Sequence, residues 1–228
     1  MIKVDNIDVW GFEHAIRGMR NPLSSWDKSD SEVAFHAFEN FPLDDENANK
    51  YRELNDKYGV NLKIGSNDLD LMRRLYKAGS EHRKYLRQIF VSMDITAPLY
   101  WWKEFDTYKV GTVANSCSTM HKISAKEFTL DDFSIEHLND FNKAQMLNLV
   151  NVLNANREAY IRTKDKSDWW QLIQLLPSSY NQKRTITMNY ENVVTMIKQR
   201  TGHKLDEWNN FVDILSELPY IKEITKDE

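Results

Sequence analysis

One segment of this chain alternates so regularly that it constrains the backbone on both sides of it. Ile, Val, Met and Ile occupy every second position of Gln88–Thr96 from its second residue, with Phe, Ser, Asp and Thr between them. A period of two is the side-chain repeat of a β-strand with one buried face. Pro98 follows and predicts a helix through Tyr108, because a proline in the first helical turn loses no hydrogen bond. The sequence therefore predicts a core strand that runs directly into a helix.

The remaining patterns divide the chain into a sheet-rich part and a helical part. Partial alternation predicts a strand over Ile2–Trp10 and short extended segments over Gly59–Ile64 and Gly111–His121. Apolar repeats of helical period predict helices over Gly11–Arg20, Ser66–Gly79, Asn139–Arg162, Trp169–Leu176, Tyr190–Arg200 and Leu205–Leu218. We expect one α+β domain over residues 1–228, with a small, mostly antiparallel sheet in 1–125 and helices in 139–218.

Four stretches have weaker patterns. Pro22–Asn49 is rich in Ser, Asp and Asn and is expected to be a long surface loop. Tyr51–Tyr58 is interpreted as a charged helical turn, and Ile221–Glu228 as a polar tail. The stretch from Pro177 to the helix at Tyr190 is interpreted as a polar turn.

Composition and charge exclude several classes of protein. The chain has 228 residues, of which 41% are hydrophobic, which is typical of a globular fold. Its net charge is -4 and it has no long block of Lys and Arg, so we expect no nucleic-acid partner. It has one cysteine, no apolar run of membrane length and no N-terminal signal pattern, so we expect a cytoplasmic protein without membrane contact. The histidines lack the spacing of metal ligands, and no metal is expected.

The single cysteine, Cys117, lies in the run Asn115–Ser118 of small polar side chains. A nucleophilic role would need an activating base, and no His-Asp constellation lies nearby in the sequence. Strand alternation also turns its side chain away from those of Ser116 and Ser118. We therefore expect Cys117 to be buried in the core, as free cysteines commonly are.

Several short motifs follow one another in a set order. After a helix that ends at Gly79, the chain contains His82, Ala97-Pro98, the run Asn115–Ser118, Leu176-Pro177, and Asn189 followed eleven residues later by Arg200. Their order and spacing resemble those of the flavin-dependent thymidylate synthases. The resemblance covers about Asp68 to Leu218, and more weakly the first strand and helix.

The resemblance implies that family's fold, reaction and site. In that family a one-carbon unit passes from methylenetetrahydrofolate to dUMP, and FAD reduced by NADPH supplies the hydride. The family's active sites draw on more than one subunit of a homotetramer, so the resemblance implies a homo-oligomer, and specifically a tetramer. Transferred position by position, the resemblance implies substrate binding by Ser116, Ser118 and Arg200, and cofactor binding by His82, Gln88, Tyr108, Lys109, Asn115 and Asn189.

Several charged residues of the family are replaced in this chain. Tyr108-Lys109-Val110 stands at the family's Arg-His-Arg, and Leu86-Arg87-Gln88 at its Phe-Glu-His. Ser116 and Met120 replace a Glu and an Arg of the second motif, and Glu191 replaces an Arg of the last helix. Arginine binds phosphate through a planar fork and stacks on rings, and Lys or Tyr performs each role only in part.

Three hypotheses therefore stay open. In the first, the protein still binds flavin and a nucleotide through other residues: Lys109, Arg87, Lys122 and Arg200 as cations, and Trp101, Trp102 or Tyr108 as stacking rings. In the second, the scaffold persists as a nucleotide- or protein-binding descendant without the reaction. In the third, the chain is an unrelated helical interaction protein. Arg200 itself has two interpretations, because a cation at a helix C-terminus is favoured by the helix dipole even without a ligand.

Overall fold

The computed structural model of the protein describes residues 2–33 and 46–226, so the middle of the predicted loop Pro22–Asn49 lies outside the described residues. Its strands are β1 (Lys3–Trp10), β2 (Glu32–Val33), β3 (Leu62–Lys63), β4 (Phe90–Pro98), β5 (Thr112–Ser116) and β6 (Asn181–Asn189). Its helices are α1 (Phe12–Arg20), α2 (Glu46–Tyr58), α3 (Ser66–Lys77), α4 (Leu99–Phe105), α5 (Asp140–Thr163), α6 (Lys166–Leu175), α7 (Tyr190–Arg200), α8 (Asp206–Ser216) and α9 (Ile221–Thr225).

The strands form a small antiparallel sheet, and the predicted α+β class is confirmed. The four-stranded sheet has the order β1-β4-β6-β5, and β2 pairs with β3 in a separate antiparallel ribbon in which Glu32 lies opposite Lys63. The chain groups into two compact units. The first unit takes Met1–Val4, Asp94–Thr107 and Ala114–Thr185, and the second takes Asp5–Met93, Tyr108–Val113 and Ile186–Glu228.

Strand β4 has the alternation that its sequence predicts. Val91, Met93 and Ile95 are buried on one face, while the residues between them are partly exposed. The strand ends at Pro98, whose extended backbone precedes the first turn of α4. The predicted passage from core strand to helix is therefore confirmed, although α4 ends at Phe105 rather than at Tyr108.

Strand β6 shows that the predicted polar turn before Tyr190 is wrong. Gln182, Ile186 and Met188 are buried on one face of β6, and Arg184 shares that face. On the other face the Thr185 hydroxyl donates a hydrogen bond of 2.6 Å to Asp94. The alternation is hard to recognise in the sequence because a glutamine and an arginine occupy inward positions that apolar residues usually fill.

In the first unit, α5 packs on a small apolar cluster but buries little of its own surface. The cluster contains Ile123, Phe128, Phe133, Val150, Leu153 and Leu172. Val150 and Leu153 are the buried residues of α5 among its 24 positions. The apolar repeat of the sequence predicts Phe141 and Val152 on the buried face of this helix, but their side chains are 72% and 47% exposed. That assignment is wrong for these two residues, and α5 presents an apolar surface that residues 2–33 and 46–226 do not cover.

In the second unit, a buried ion pair fixes the chain after α1. The Arg20 Nε donates to Asp68 Oδ1 at 2.6 Å, and both side chains are almost fully buried. Asp68 Oδ2 accepts hydrogen bonds from the hydroxyls of Ser29 and Ser31, each at 2.7 Å. Arg20 also donates to the carbonyls of Ser25 and Lys28. One carboxylate therefore joins α1, α3 and the segment between them.

Helix α3 is capped from a distance rather than by its own first residue. The sequence predicts Ser66 as the capping side chain, but Asp30 accepts hydrogen bonds from the backbone N–H groups of Asn67 at 2.9 Å and Asp68 at 3.1 Å. A Cβ on Gly65 would lie 2.2 Å from the Asp30 carboxyl, so this approach requires a glycine. The predicted Ser66 cap is therefore wrong, because a carboxylate distant in sequence takes its place.

Three further boundaries differ from the sequence predictions. The predicted turn Tyr51–Tyr58 is the end of the longer helix α2. The sequence predicts Ser167-Asp168 as the cap of the helix that becomes α6, but Asp165 accepts the Ser167 N–H, so this prediction is wrong. The predicted polar tail contains α9, which buries Ile221 and Ile224.

Within the described residues, none of the helices combines the length and apolar character needed to cross a bilayer.

The ion pair at Asp68 gives the first prediction. Burial alone raises the pKa of the Asp68 carboxyl, but hydrogen bonds from Ser31, Ser29 and Arg20 outweigh burial and hold that pKa below its ordinary value. Asp68→Asn leaves Arg20 buried without its counter-charge, so we expect a loss of about 3–5 kcal/mol in the free energy of unfolding at pH 7. Urea denaturation measures this loss.

The lowered pKa of Asp68 also predicts how its contribution to the free energy of unfolding changes with pH. A lowered carboxyl pKa adds stability above the unfolded-state value of about 3.9, and this contribution disappears as the pH falls through the folded-state pKa. The difference between wild type and Asp68→Asn should therefore shrink below about pH 4. Asp70→Asn is the matched control on the same helix, since Asp70 is exposed, and we expect it to change stability by less than about 1 kcal/mol. Equal losses in both variants would contradict the account.

Candidate functional site

Arg200, the predicted phosphate-binding residue, is held at the end of α7 by aromatic side chains. Its guanidinium carbon lies 4.5 Å from the ring centroid of Trp208 and 5.5 Å from that of Tyr108. The Arg200 Nε donates a hydrogen bond of 2.9 Å to the Tyr108 hydroxyl, which donates in turn to Gln199 at 3.0 Å. Trp208 is fully buried and supplies a rigid surface for the cation. Two residues that the sequence predicts separately, Tyr108 and Arg200, are therefore in direct contact.

Asn189 caps the other end of α7 and contacts the same turn. Its side chain accepts a hydrogen bond of 3.1 Å from the Asn192 N–H. The Asn192 amide donates to the Val110 carbonyl and to the Thr112 hydroxyl, each at 2.9 Å. The turn from Tyr108 to Thr112 therefore runs along α7 and is bonded near both helix ends. Lys109 lies exposed on this turn.

His82 and Gln88, both predicted to bind a cofactor, line one cavity of about 540 Å³ in the second unit. Its walls come from α1, α3, the 3₁₀ helices Asn21–Leu23 and Arg83–Gln88, and the residues just before the latter: Gly18, Met19, Pro22, Leu23, Leu71, Leu75, Glu81, His82, Lys84, Tyr85 and Gln88. Sites for small molecules are concave and mostly apolar, with volumes of about 300–1,000 Å³ and a few polar groups. The cavity meets these criteria.

Two close contacts position residues that line this cavity: one between Tyr85 and Met72, and one between Gln88 and Gly18. The Tyr85 hydroxyl donates to the Met72 carbonyl at 2.9 Å, and burial raises the pKa of this phenol, which keeps it protonated. A Cβ on Gly18 would lie 2.5 Å from the Gln88 side-chain oxygen. Gly18 therefore lets the Gln88 side chain lie against α1, where it lines the cavity.

The predicted residues of the first unit lie at and beyond the end of β5. Asn115 and Ser116 are exposed, and the Ser118 hydroxyl accepts hydrogen bonds from the N–H groups of Met120 at 3.2 Å and His121 at 2.9 Å. Ser118 thereby closes a local turn. Cys117 is exposed, so the prediction that it is buried is wrong. The reason is that β5 is an edge strand of the sheet and is exposed over its last four residues.

Sequence reasoning missed an arginine beside this segment. Arg184 donates through Nε to Gln182 at 3.0 Å and through Nη1 to Asp106 at 2.8 Å. Its guanidinium lies 4.2 Å from the ring centroid of buried Trp102. The Gln182 amide donates to the Cys117 carbonyl at 2.8 Å. Recognition of β6 in the sequence would have placed Arg184 on the buried face.

A second charged pair lies next to His82 in the sequence. Arg83 donates to one oxygen of Glu191 at 3.1 Å through Nε and at 3.0 Å through Nη2. The other carboxylate oxygen of Glu191 is buried and accepts no hydrogen bond from the described residues. Glu191 occupies the position at which the resemblance expects an arginine, so this exchange adds a negative charge and gives Arg83 a partner.

The described residues form no metal centre. Across residues 2–33 and 46–226 there is no group of three or more His, Cys, Asp or Glu side chains arranged to hold an ion.

The architecture identifies the class of fold to which the chain belongs. The chain has the fold of the flavin-dependent thymidylate synthases. The resemblance drawn from the sequence motifs is therefore confirmed at the level of fold. One similar solved structure is thymidylate synthase X from Helicobacter pylori with FAD and dUMP, with a TM-score of 0.65 at 15% identity over 100% of this chain and 98% of that chain.

Two more solved structures share this fold. A second structure of the Helicobacter pylori flavin-dependent enzyme, complexed with FAD and dUMP, gives a TM-score of 0.61 at 12% identity over 98% of both chains. The UMP/dUMP methylase PolB from Streptomyces cacaoi, bound with 5-Br dUMP, gives 0.59 at 13% identity over 99% of this chain and 94% of that chain. No sequence profile of a protein family matches the chain, and no curated protein matches its sequence.

The turn beside α7 gives the second prediction. Gly111 has a φ of +75°, and a Cβ there would lie 2.6 Å from the Asn189 amide nitrogen. Gly111→Ala should cost about 1–2 kcal/mol in backbone strain, and about 0.5–2 kcal/mol more from disturbing the helix cap. Gly79→Ala is the control, since Gly79 also has a positive φ but nothing lies within 4 Å of its Cβ position. Chemical denaturation of both variants measures the difference, and a Gly79→Ala loss as large as that of Gly111→Ala would contradict the contact.

Proposed function

We propose that this chain binds FAD and dUMP and transfers a one-carbon unit to dUMP, giving dTMP, with methylenetetrahydrofolate as donor and NADPH as reductant. The observation that carries the proposal is that His82 and Gln88, both expected to bind a cofactor, line one cavity. The fold supports it as well, because two structures with this fold hold FAD and dUMP.

The residues present fit a flavin ring. The lining of the cavity includes the apolar side chains of Met19, Leu71 and Leu75, which suit a planar aromatic group. His82, Lys84 and Gln88 supply polar groups to the lining, and Lys84 adds a cation for an anionic arm. The proposed roles are that His82 and Gln88 orient the ring while the apolar side chains exclude water. When bound, a flavin supplies hydride chemistry that side chains do not offer.

Arg200 is the proposed partner of the nucleotide phosphate. Stacking on Trp208 and the hydrogen bond to Tyr108 hold its guanidinium in one orientation, so little side-chain freedom remains to be lost on binding. A hydrogen bond between charged groups contributes about 1.5–3 kcal/mol. In the first unit, Ser116 and Ser118 keep the proposed substrate-binding role and Asn115 the proposed cofactor-binding role. In the second unit, Tyr108, Lys109 and Asn189 keep the proposed cofactor-binding role.

A second candidate function is a nucleotide-binding descendant that has lost the reaction. The observation that favours it is the pair formed by Arg83 and Glu191, because a carboxylate stands where the resemblance expects a cation. Arg184 likewise donates hydrogen bonds to Asp106 and Gln182. Both pairs reduce the positive charge available to a doubly anionic ligand and a flavin pyrophosphate.

The third prediction concerns the cavity. His82→Ala removes a polar wall group, and we expect FAD affinity to fall about tenfold, the worth of one well-placed hydrogen bond. Ser80→Ala is the matched control, since Ser80 is two residues earlier and does not line the cavity. Fluorescence quenching of added FAD measures both affinities.

The outcomes separate the two candidate functions. Wild-type protein that binds FAD and converts dUMP to dTMP supports the first. Protein that shows no flavin absorbance and takes up no added FAD, yet is stabilised by dUMP in a thermal-shift assay, supports the second. Equal FAD affinity in wild type and His82→Ala would remove this cavity from the flavin site.

We also propose that the protein is a homo-oligomer through α5. Phe141 and Val152 lie eleven residues apart, about three helical turns, and therefore on one face of α5. Both are exposed, on a helix that buries two of its residues. An exposed apolar surface of this kind is typical of subunit interfaces.

The fourth prediction tests this surface. The double variant Phe141→Glu, Val152→Glu places like charges on the proposed contact, and we expect it to dissociate the oligomer into monomers in analytical ultracentrifugation. Lys143→Glu is the control, because Lys143 is exposed on a different face of α5. A wild-type monomer at micromolar concentration would contradict the oligomer proposal.

A further inference from the structure

The cavity that His82 and Gln88 line is divided between polar and apolar segments of the chain. Within the described residues, its lining side chains that can form hydrogen bonds all come from one short segment, and they are Glu81, His82, Lys84, Tyr85 and Gln88. The lining residues from α1, from the 3₁₀ helix Asn21–Leu23 and from α3 are glycine or apolar: Gly18, Met19, Pro22, Leu23, Leu71 and Leu75. The cavity therefore offers hydrogen bonds from the segment Glu81–Gln88 and apolar contacts from the other segments.

The polar part of the lining combines opposite charges with groups that both donate and accept. Glu81 and Lys84 carry opposite charges, whereas His82 and Gln88 can each donate and accept hydrogen bonds. Such a surface suits a ring edge on which acceptors and a donor alternate, as in a cyclic imide with its two carbonyls and one N–H.

Leu23 lines the cavity and is also 78% exposed, so it lies at the opening. A single exposed leucine is ordinary on a protein surface, but this one borders a cavity of the size that small molecules occupy. Its side chain contributes little to folding, because water still covers most of it. A ligand that covers Leu23 therefore gains by burying apolar surface that the chain leaves in water.

Hydrogen bonds on both sides of Leu23 hold its backbone at this opening. Ser24 has a left-handed backbone, with a φ of 45°, and its N–H donates to the Asn21 carbonyl at 3.1 Å. The Ser25 N–H donates to the Arg20 carbonyl at 3.2 Å. A residue other than glycine keeps a left-handed backbone only where its surroundings fix it. The backbone of Leu23 is therefore in place before a ligand binds, which lowers the entropic cost of the contact.

The flavin ring has two unlike edges that match this division. Its pyrimidine edge carries two carbonyls and an imide N–H, and its benzene edge carries two methyl groups. The pyrimidine edge is complementary to the hydrogen-bonding segment Glu81–Gln88. The methyl-bearing edge is complementary to the apolar residues that precede and include Leu23.

We propose that Leu23 contacts the methyl-bearing edge of the flavin and that the segment Glu81–Gln88 contacts its pyrimidine edge, so that the cavity binds the ring in one orientation. The inference rests on the proposed function in taking the ligand of this cavity to be FAD. The opposite orientation places the two carbonyls against apolar side chains, where they lack hydrogen bonds. Leu23 is thereby a binding residue that discriminates between the two edges of the ring.

Two flavin analogues test the two edges separately. One is the FAD analogue that lacks both ring methyl groups, and the other is the FAD analogue methylated at the imide nitrogen. Titration calorimetry of the full chain compares each analogue with FAD in wild type, Leu23→Ala and Gln88→Leu. Val33→Ala is the control, since Val33 is an exposed apolar residue of the same unit that does not line the cavity.

We expect Leu23→Ala to weaken FAD binding about tenfold, because the ligand no longer buries the leucine methyl groups. With the demethylated analogue the same substitution should change the affinity by less than about threefold, since the groups that Leu23 contacts are absent. Gln88→Leu should weaken binding of FAD about tenfold, and of the imide-methylated analogue by less than about threefold. Val33→Ala should leave the affinity for FAD within about twofold of wild type.

The outcomes distinguish failure of this inference from failure of the proposed function. If wild type binds FAD and Leu23→Ala weakens FAD and the demethylated analogue equally, or weakens neither, the inference is overturned and the proposed function stands. If removal of the methyl groups changes the effect of Gln88→Leu and not that of Leu23→Ala, the ring lies in the opposite orientation, and the inference is again overturned. Wild type that binds no FAD would overturn both.

Discussion

The stacking of Arg200 on Trp208 is the contact on which the candidate site depends. A planar cation 4.5 Å from a fully buried indole gains attraction from the ring and loses little to competing water. Through Nε the same guanidinium binds Tyr108, the first residue of the turn that runs back along α7. The Asn192 amide bonds the other end of that turn, at Val110 and Thr112, and the Asn189 side chain lies beside Gly111. Contacts near both ends of α7 therefore order the turn from Tyr108 to Thr112. This turn contains the positions at which the resemblance expects Arg-His-Arg.

This arrangement gives a physical role to residues that differ from those the resemblance expects. An arginine at position 108 would set a second guanidinium beside that of Arg200, whereas a tyrosine there accepts its hydrogen bond and stacks beside it. Glu191, where the resemblance expects an arginine, likewise has an internal partner, because its carboxylate binds Arg83 within the second unit. At both positions the side chain that is present makes a contact within the protein. A carboxylate at position 191 also offers no positive charge to a phosphate.

The sequence predicted features that depend on neighbouring residues and missed those that depend on distant ones. The alternation of β4 and the start of α5 after Asn139 are local patterns, and both are present. The cap of α3 comes from Asp30, and nothing near Ser66 in the sequence indicates it. Strand β6 was missed because Arg184 faces inward, which is stable there because Trp102 lies beneath its guanidinium. The contact of Tyr108 with Arg200 joins residues far apart in the chain, so motif spacing could name both without predicting that they meet.

A crystal structure of the protein with FAD and dUMP tests the central claim most directly, since it locates both ligands without reliance on turnover. The account predicts the flavin ring in the cavity lined by His82 and Gln88, and a phosphate oxygen within about 3 Å of Arg200, the length of a hydrogen bond. A phosphate bound elsewhere, with Arg200 still enclosed by Tyr108 and Trp208 and contacting no ligand, would contradict it.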